Sequence, residues 1–232
     1  MNVAGHNGPM SRLRAARIAA ACLALAASPL AAFAAPPEPS AVPCLTGTTE
    51  LLTGSQAGPG TRFVIAIGLT VTTPAQPVNG WMIGRCNSEQ VVFTRSDTAG
   101  KDFMTALASH VGLAPWTDEA AFEDLVRRTL AANQPAGQHL RTVQFEPSTV
   151  DGRPCVDVLR VGTVDPMPGP QGGVTPAMFT RERLRACHLR DARGPEAAVM
   201  LMFKEIASHD PLRFDDTARP FLAGAALPAW QH

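Results

Sequence analysis

"KDFMTALASHVGL", residues 101–113, decides how the middle of this chain folds. Phe103, Leu107 and Val111 recur every four residues, Met104 sits beside the first, and Gly112 supplies a stop signal. That recurrence predicts an amphipathic helix. The next segment, "TDEAAFEDLVRRTLAAN", starts on Thr117, a good N-cap, with acids in its first turn that suit the helix dipole. Phe122, Leu125, Val126 and Leu130 form its apolar stripe, and Glu123, Asp124, Arg127 and Arg128 fall largely away from it. Two consecutive mid-chain helices are therefore expected.

Strand patterns lie on either side. In "RFVIAIGLTVTT", Arg62 to Thr73, Phe63, Ile65, Ile67, Leu69 and Val71 alternate with small or polar residues, the period of a strand with one buried face. "WMIGRC" and "QVVFTR", separated by "NSE", read as a hairpin ending at Arg95, with Trp81, Ile83, Val91 and Phe93 on its inner face. Beyond residue 138, "LRTVQFEP" and "CVDVLRVGTV" flank an Asp-Gly turn signal. "MFTRERLRACHLR" and "AAVMLMF" fit either a helix or a strand, and the unbroken apolar run favours a central strand buried on both faces. A last helix, about Asp216 to Ala226, tolerates Pro220 only near its first turn. Strands, then helices, then strands predict an α+β fold: an antiparallel sheet with two mid-chain helices packed on one face and a short C-terminal helix.

The N-terminus reads as a secretory leader. Arg12, Arg14 and Arg17 make a basic start, Ile18 to Ala34 an apolar stretch broken by Pro29, and "AFA" a small-residue cleavage motif before Ala35. The organisation expected is a signal peptide over 1–34, an extended leader over 35–60 and a single α+β domain over 61–232. Ser28 and Pro29 cut the apolar stretch short of the roughly 20 residues of a span, and no later segment is apolar enough. Lipidation at Cys22 is disfavoured because too little apolar sequence precedes it. Cleavage removes three arginines from a chain balanced at 20 basic and 20 acidic residues, leaving an acidic excess. That is a poor match to nucleic acid, whose binding rests on neutralising phosphates. A periplasmic or secreted protein is expected.

Export decides how the cysteines are read. Cys44, Cys86, Cys155 and Cys187 remain after cleavage, and an even number of thiols in an oxidising space implies disulfides. Four cysteines allow three connectivities. Cys44–Cys86 with Cys155–Cys187 is preferred, since the second pair brackets the Gly/Pro-rich connection Pro166 to Gly173. Cys187 beside His188 also suggests a reactive thiol or a metal ligand. Adjacent strand residues point to opposite faces, however, and the chain has neither C-x-x-C nor H-x-x-x-H.

"GWMIGRCNSEQVVFTR", "GRPCVDVLRVG" and "RACHLR" followed by "AAVMLMF" resemble a loose group of bacterial exported proteins with a leader, a "GW" strand, two mid-chain helices and late strands holding a Cys pair. The resemblance implies an architecture similar to the α/β/α sandwiches of the PsbP and Mog1 type. It assigns no catalytic residue, and Cys44 and Cys86 lie outside the shared pattern.

Two features carry candidate chemistry. Arg181, Arg183 and Arg185 alternate, so on a strand they form one positive row able to grip a carboxylate or phosphate; a charged row that guards a sheet edge is the plainer reading. "SHDPLRFDD" gathers His209, Asp210, Asp215 and Asp216, a potential metal loop or simply a carboxylate-rich cap on the last helix. Neither G-x-S-x-G nor H-E-x-x-H occurs, the Gly/Pro loop has no Walker pattern, and no cofactor is expected. The expected function is a non-catalytic envelope accessory or binding module, stapled by disulfides, whose partner is an envelope protein or a small ligand and which binds no nucleic acid. The alternative is a periplasmic hydrolase or metal-dependent enzyme using His188 or the His209–Asp216 loop.

Overall fold

The computed structural model describes residues 41–44, 54–65, 67–74, 80–96, 102–166, 174, 176–189 and 197–228. The signal peptide, most of the leader, the Gly/Pro connection from 167 to 173, Arg190 and Arg193 lie outside the described residues. The described residues belong to one unit, Pro39–His232.

The fold is dominated by β-sheet. Strands β1 (Val42–Pro43), β3 (Arg62–Val64) and β4 (Thr70–Thr72) form a small sheet. Eight others form a large antiparallel sheet: β2 (Gln56–Ala57), β5 (Trp81–Cys86), β6 (Gln90–Ser96), β7 (Phe103–Gly112), β8 (Gln138–Val150), β9 (Arg153–Val164), β10 (Met178–His188) and β11 (Ala197–Ala207). Its order is β2-β5-β6-β7-β11-β10-β9-β8. Two helices are described, α1 (Glu119–Ala132) and α2 (Phe214–Ala223).

The expected first mid-chain helix is strand β7, which overturns the helix-pair α+β fold. Side chains four apart share a face of a helix, but four is also twice two, so Phe103, Leu107 and Val111 equally share a face of a strand. The residues between them decide the matter. Ala106 and Ala108 are fully buried against Phe93 and Phe203 on the opposite face. β7 is thus an inner strand, paired with β6 and β11, and needs apolar side chains on both faces. β11 is likewise central, which accounts for its unbroken apolar run.

Two layers cover the large sheet. On one face lie the small sheet and α2, packed on Trp81, Ile83, Val91, Phe93, Leu201 and Phe203. Phe203 joins the layers, with ring centroids 5.9 Å from Trp81 and 5.5 Å from Phe214. On the other face α1 lays Phe122 and Val126 on Val156, Val158, Leu184, Ala186 and Ala198. One mid-chain helix on one face, with a small sheet and the C-terminal helix on the other, replaces the expected arrangement.

Smaller corrections have local causes. The long strand expected over 62–73 is the β3–β4 hairpin; it reverses at Gly68, whose φ of +86° suits glycine. Alternation survives because the turn preserves parity, pairing Phe63 with Val71. Helix α1 is capped by Asp118 rather than Thr117, its carboxylate accepting from the Ala121 N–H at 2.8 Å. Helix α2 starts at Phe214, so Pro220 sits inside it. Pro220 lacks the N–H that would have bonded the carbonyl of Asp216, and both residues are exposed. The Asp-Gly turn is as expected: Asp151 (φ +50°) and Gly152 (φ +78°) both take positive φ, as a two-residue type I′ turn requires.

The disulfides join Cys44 to Cys86 and Cys155 to Cys187, the pairing preferred from sequence. A β-bulge between Ile83 and Arg85 makes the first possible. Without the extra residue, Cys86 would face away from Ile83; with it, both are buried on the face that meets β1. Cys155 and Cys187 lie directly opposite each other on β9 and β10, Cα atoms 4.1 Å apart, as in a non-hydrogen-bonded antiparallel pair.

Candidate ligand cavity

The pleat of β10 sends Arg181, Arg183 and Arg185 to the face that carries α2, and there each guanidinium meets an aspartate. Arg185 is bidentate on Asp157, Nε donating to Oδ1 at 2.7 Å and Nη2 to Oδ2 at 3.0 Å. Arg183 is bidentate on Asp215 of α2, with Nη2 to Oδ2 at 2.9 Å. Arg181 reaches the loop before α2, its Nη2 3.2 Å from Asp210 Oδ1. Hydrogen bonds from Arg183 hold the Asp215 carboxyl below its ordinary range, and its charge and that of Arg219 add to this against some burial. The forks that the sequence offered to an outside anion are thus engaged within the chain, and they tie β10 to β9, the 208–213 loop and α2.

The row of side chains through Arg181 crosses the sheet as Arg95, Met104, Glu205 and Arg181 on β6, β7, β11 and β10. Above Met104 and Glu205, the loop and the start of α2 enclose a cavity of about 590 Å³. Phe203 and Phe214 line it beside Met104, and Glu205, His209, Asp210, Arg213, Asp216 and Thr217 supply its polar groups. Glu205 is only 8% exposed and has no hydrogen-bond or ion-pair partner among the described residues. Burial pushes its carboxyl above the ordinary glutamate range and Asp102 adds to this, while His209, Arg95 and Arg181 pull the other way. Arg95 Nε and Nη1 and Arg181 Nε are also buried without hydrogen-bond partners among the described residues. Arg95 and Arg181 do not line the cavity; what lines it is a largely buried carboxyl beside an apolar wall, the pattern of a small-molecule site.

The other sequence candidates are dispersed. Cys187 is in its disulfide, while His188 lies on the opposite face, edge-on between Trp116 and Phe122 with centroids 4.5 and 4.2 Å away. His209 and Asp216 line the cavity, but among the described residues no three His, Cys, Asp or Glu side chains converge as metal ligands. His139 is on β8 with Nε2 2.9 Å from Asp165 Oδ1. Among the described residues, no helix is long and apolar enough to cross a membrane. Glu205 was not among the sequence candidates, although the signal was present. It shares the parity of Val199, Leu201, Phe203 and Ala207, a carboxylate in a row of buried apolar positions.

No protein-family model matches the chain, and no curated protein matches it.

Proposed function

We propose that this protein is an exported binding module, periplasmic or secreted, that takes a small ligand into the cavity above Glu205. The observation that carries the reading is Glu205 itself. A buried carboxyl without a partner lowers stability, and a ligand that brings a hydrogen-bond donor to it, with an apolar part against Phe203 and Phe214, offsets that cost. The two disulfides are compatible with an oxidising compartment, and the leader motif supports export. Phe203 and Met104 come from central strands, so the site has a rigid floor; the 208–213 loop supplies its rim.

The test is a thermal-shift screen of small amines, amides and alcohols bearing one aromatic or branched apolar group, run on the parent and on Glu205→Gln. A compound that stabilises the parent and shifts the variant by a different amount supports the site. Hits that shift both alike, or no hits, count against it. Hydrolysis is a second reading, favoured by one observation: His209 lines the same cavity as a carboxyl of raised pKa. Turnover of an ester or amide lost in His209→Ala would favour that reading.

A further inference from the structure

On the face covered by α1, a second row crosses three strands in register: Arg160 of β9, Glu182 of β10 and Lys204 of β11. Arg160 Nη1 lies 3.1 Å from Glu182 Oε1, and Lys204 Nζ 3.9 Å from Glu182 Oε2. The side chains of Arg160 and Glu182 are 6% and 5% exposed. Two cations therefore share one carboxylate in the interior, and a buried charge in excess is costly unless something pairs with it. One unmet donor of this row is identifiable: Arg160 Nη2 is buried without a hydrogen-bond partner among the described residues.

Arg160 also lines a cavity of about 200 Å³ between the C-terminal half of α1 and β8. Leu130, Leu140, Val143 and Phe145 give it an apolar wall, and none of its lining residues is acidic. Arg127 lies at the rim, its guanidinium 3.9 Å above the Phe145 ring and paired with Glu123 one turn earlier. A dry cavity of about 150 Å³ accepts benzene, so this one accommodates a ring or short chain with one polar head.

We propose that this cavity binds a small monocarboxylate with a short apolar body, its carboxylate on the free edge of Arg160 and its body against Leu140, Val143 and Phe145. The carboxylate supplies the negative charge that the Arg160–Glu182–Lys204 row lacks, in the planar form that a guanidinium edge recognises best. The site lies across the sheet from the Glu205 cavity and does not rest on the reading given to that cavity.

The probe is sodium benzoate, followed by amide chemical shifts of the full mature protein, with benzyl alcohol as its neutral counterpart. Saturable shifts on α1 and β8 are expected, with benzyl alcohol at least tenfold weaker. Arg160→Gln is expected to lose at least tenfold in benzoate affinity. Since that variant removes a buried charge and can fail to fold, Val143→Asp provides an independent arm. Val143 is 43% exposed, so the fold tolerates the change, and the new carboxylate at the wall repels benzoate and abolishes binding. Glu205→Gln is expected to leave benzoate affinity unchanged. Equal affinity for benzyl alcohol, unaltered binding in Val143→Asp, loss in Glu205→Gln, or no saturable shifts would each overturn the proposal.

Discussion

Arg183 of β10 and Asp215 of α2, 32 residues apart in sequence, meet fork to fork on the sheet face that carries the small sheet. The pair fastens the C-terminal helix over the sheet. Its stability contribution follows the lowered Asp215 carboxyl. It is present above the ordinary aspartate pKa and is lost as pH falls through the lowered value. Asp215→Asn should cost about 1 kcal/mol near neutrality, the low end being apt because the Asp215 side chain is 40% exposed and screened by water. Chemical denaturation from pH 7 down to pH 2 checks this, and parent and variant should converge in acid.

Glu205 acts with the opposite sign. An acid whose folded pKa is raised contributes stability below its unfolded pKa, and that contribution disappears as pH rises through the folded value. Glu205→Gln should therefore raise the melting temperature at pH 7, and the difference should shrink to nothing below the ordinary glutamate range. A destabilised variant at pH 7 would mean that the carboxylate has a partner within the fold.

Gly162 marks a close approach of two backbones beside the bulge between Leu140 and Thr142. A Cβ there would sit 2.2 Å from the carbonyl oxygen of His139. Gly162→Ala should cost about 1–3 kcal/mol by forcing β8 away from β9. Urea unfolding checks it.

Cys187 and His188 separate staple from packing. Loss of the Cys155–Cys187 bond in Cys187→Ala should cost roughly 2–5 kcal/mol. His188 is 7% exposed between two aromatic rings. His188→Ala should therefore cost about 2–3 kcal/mol as a cavity in the core, with the protein still folded. Melting of both variants in reducing buffer distinguishes them, since only the His188 variant should still differ from the reduced parent.

Much of the sheet was legible in the sequence because strand periodicity is local. The alternation of Trp81, Ile83, Val91 and Phe93 and the Asp151-Gly152 turn announced their structure, whereas the apolar run of β11 fitted helix or strand and only favoured the strand that forms. Segment 101–113 did not, since a spacing of four fits both periods and only the burial of Ala106 and Ala108 separates them. The arginine row was legible as a row. Its aspartate partners were not, because Asp157 and Asp215 arrive from strands and helices about thirty residues distant. Glu205, Arg160 and Lys204 carried a readable signal, a charge at a buried parity, but its meaning depends on which strands become neighbours.

The account depends on this chain being crosslinked outside the cytosol, and peptide mapping of endogenous protein tests that most directly. Alkylation before digestion, without reductant, should give an N-terminus at Ala35, the linked peptides Cys44–Cys86 and Cys155–Cys187, and no labelled thiol. An intact leader with four alkylated cysteines would contradict it.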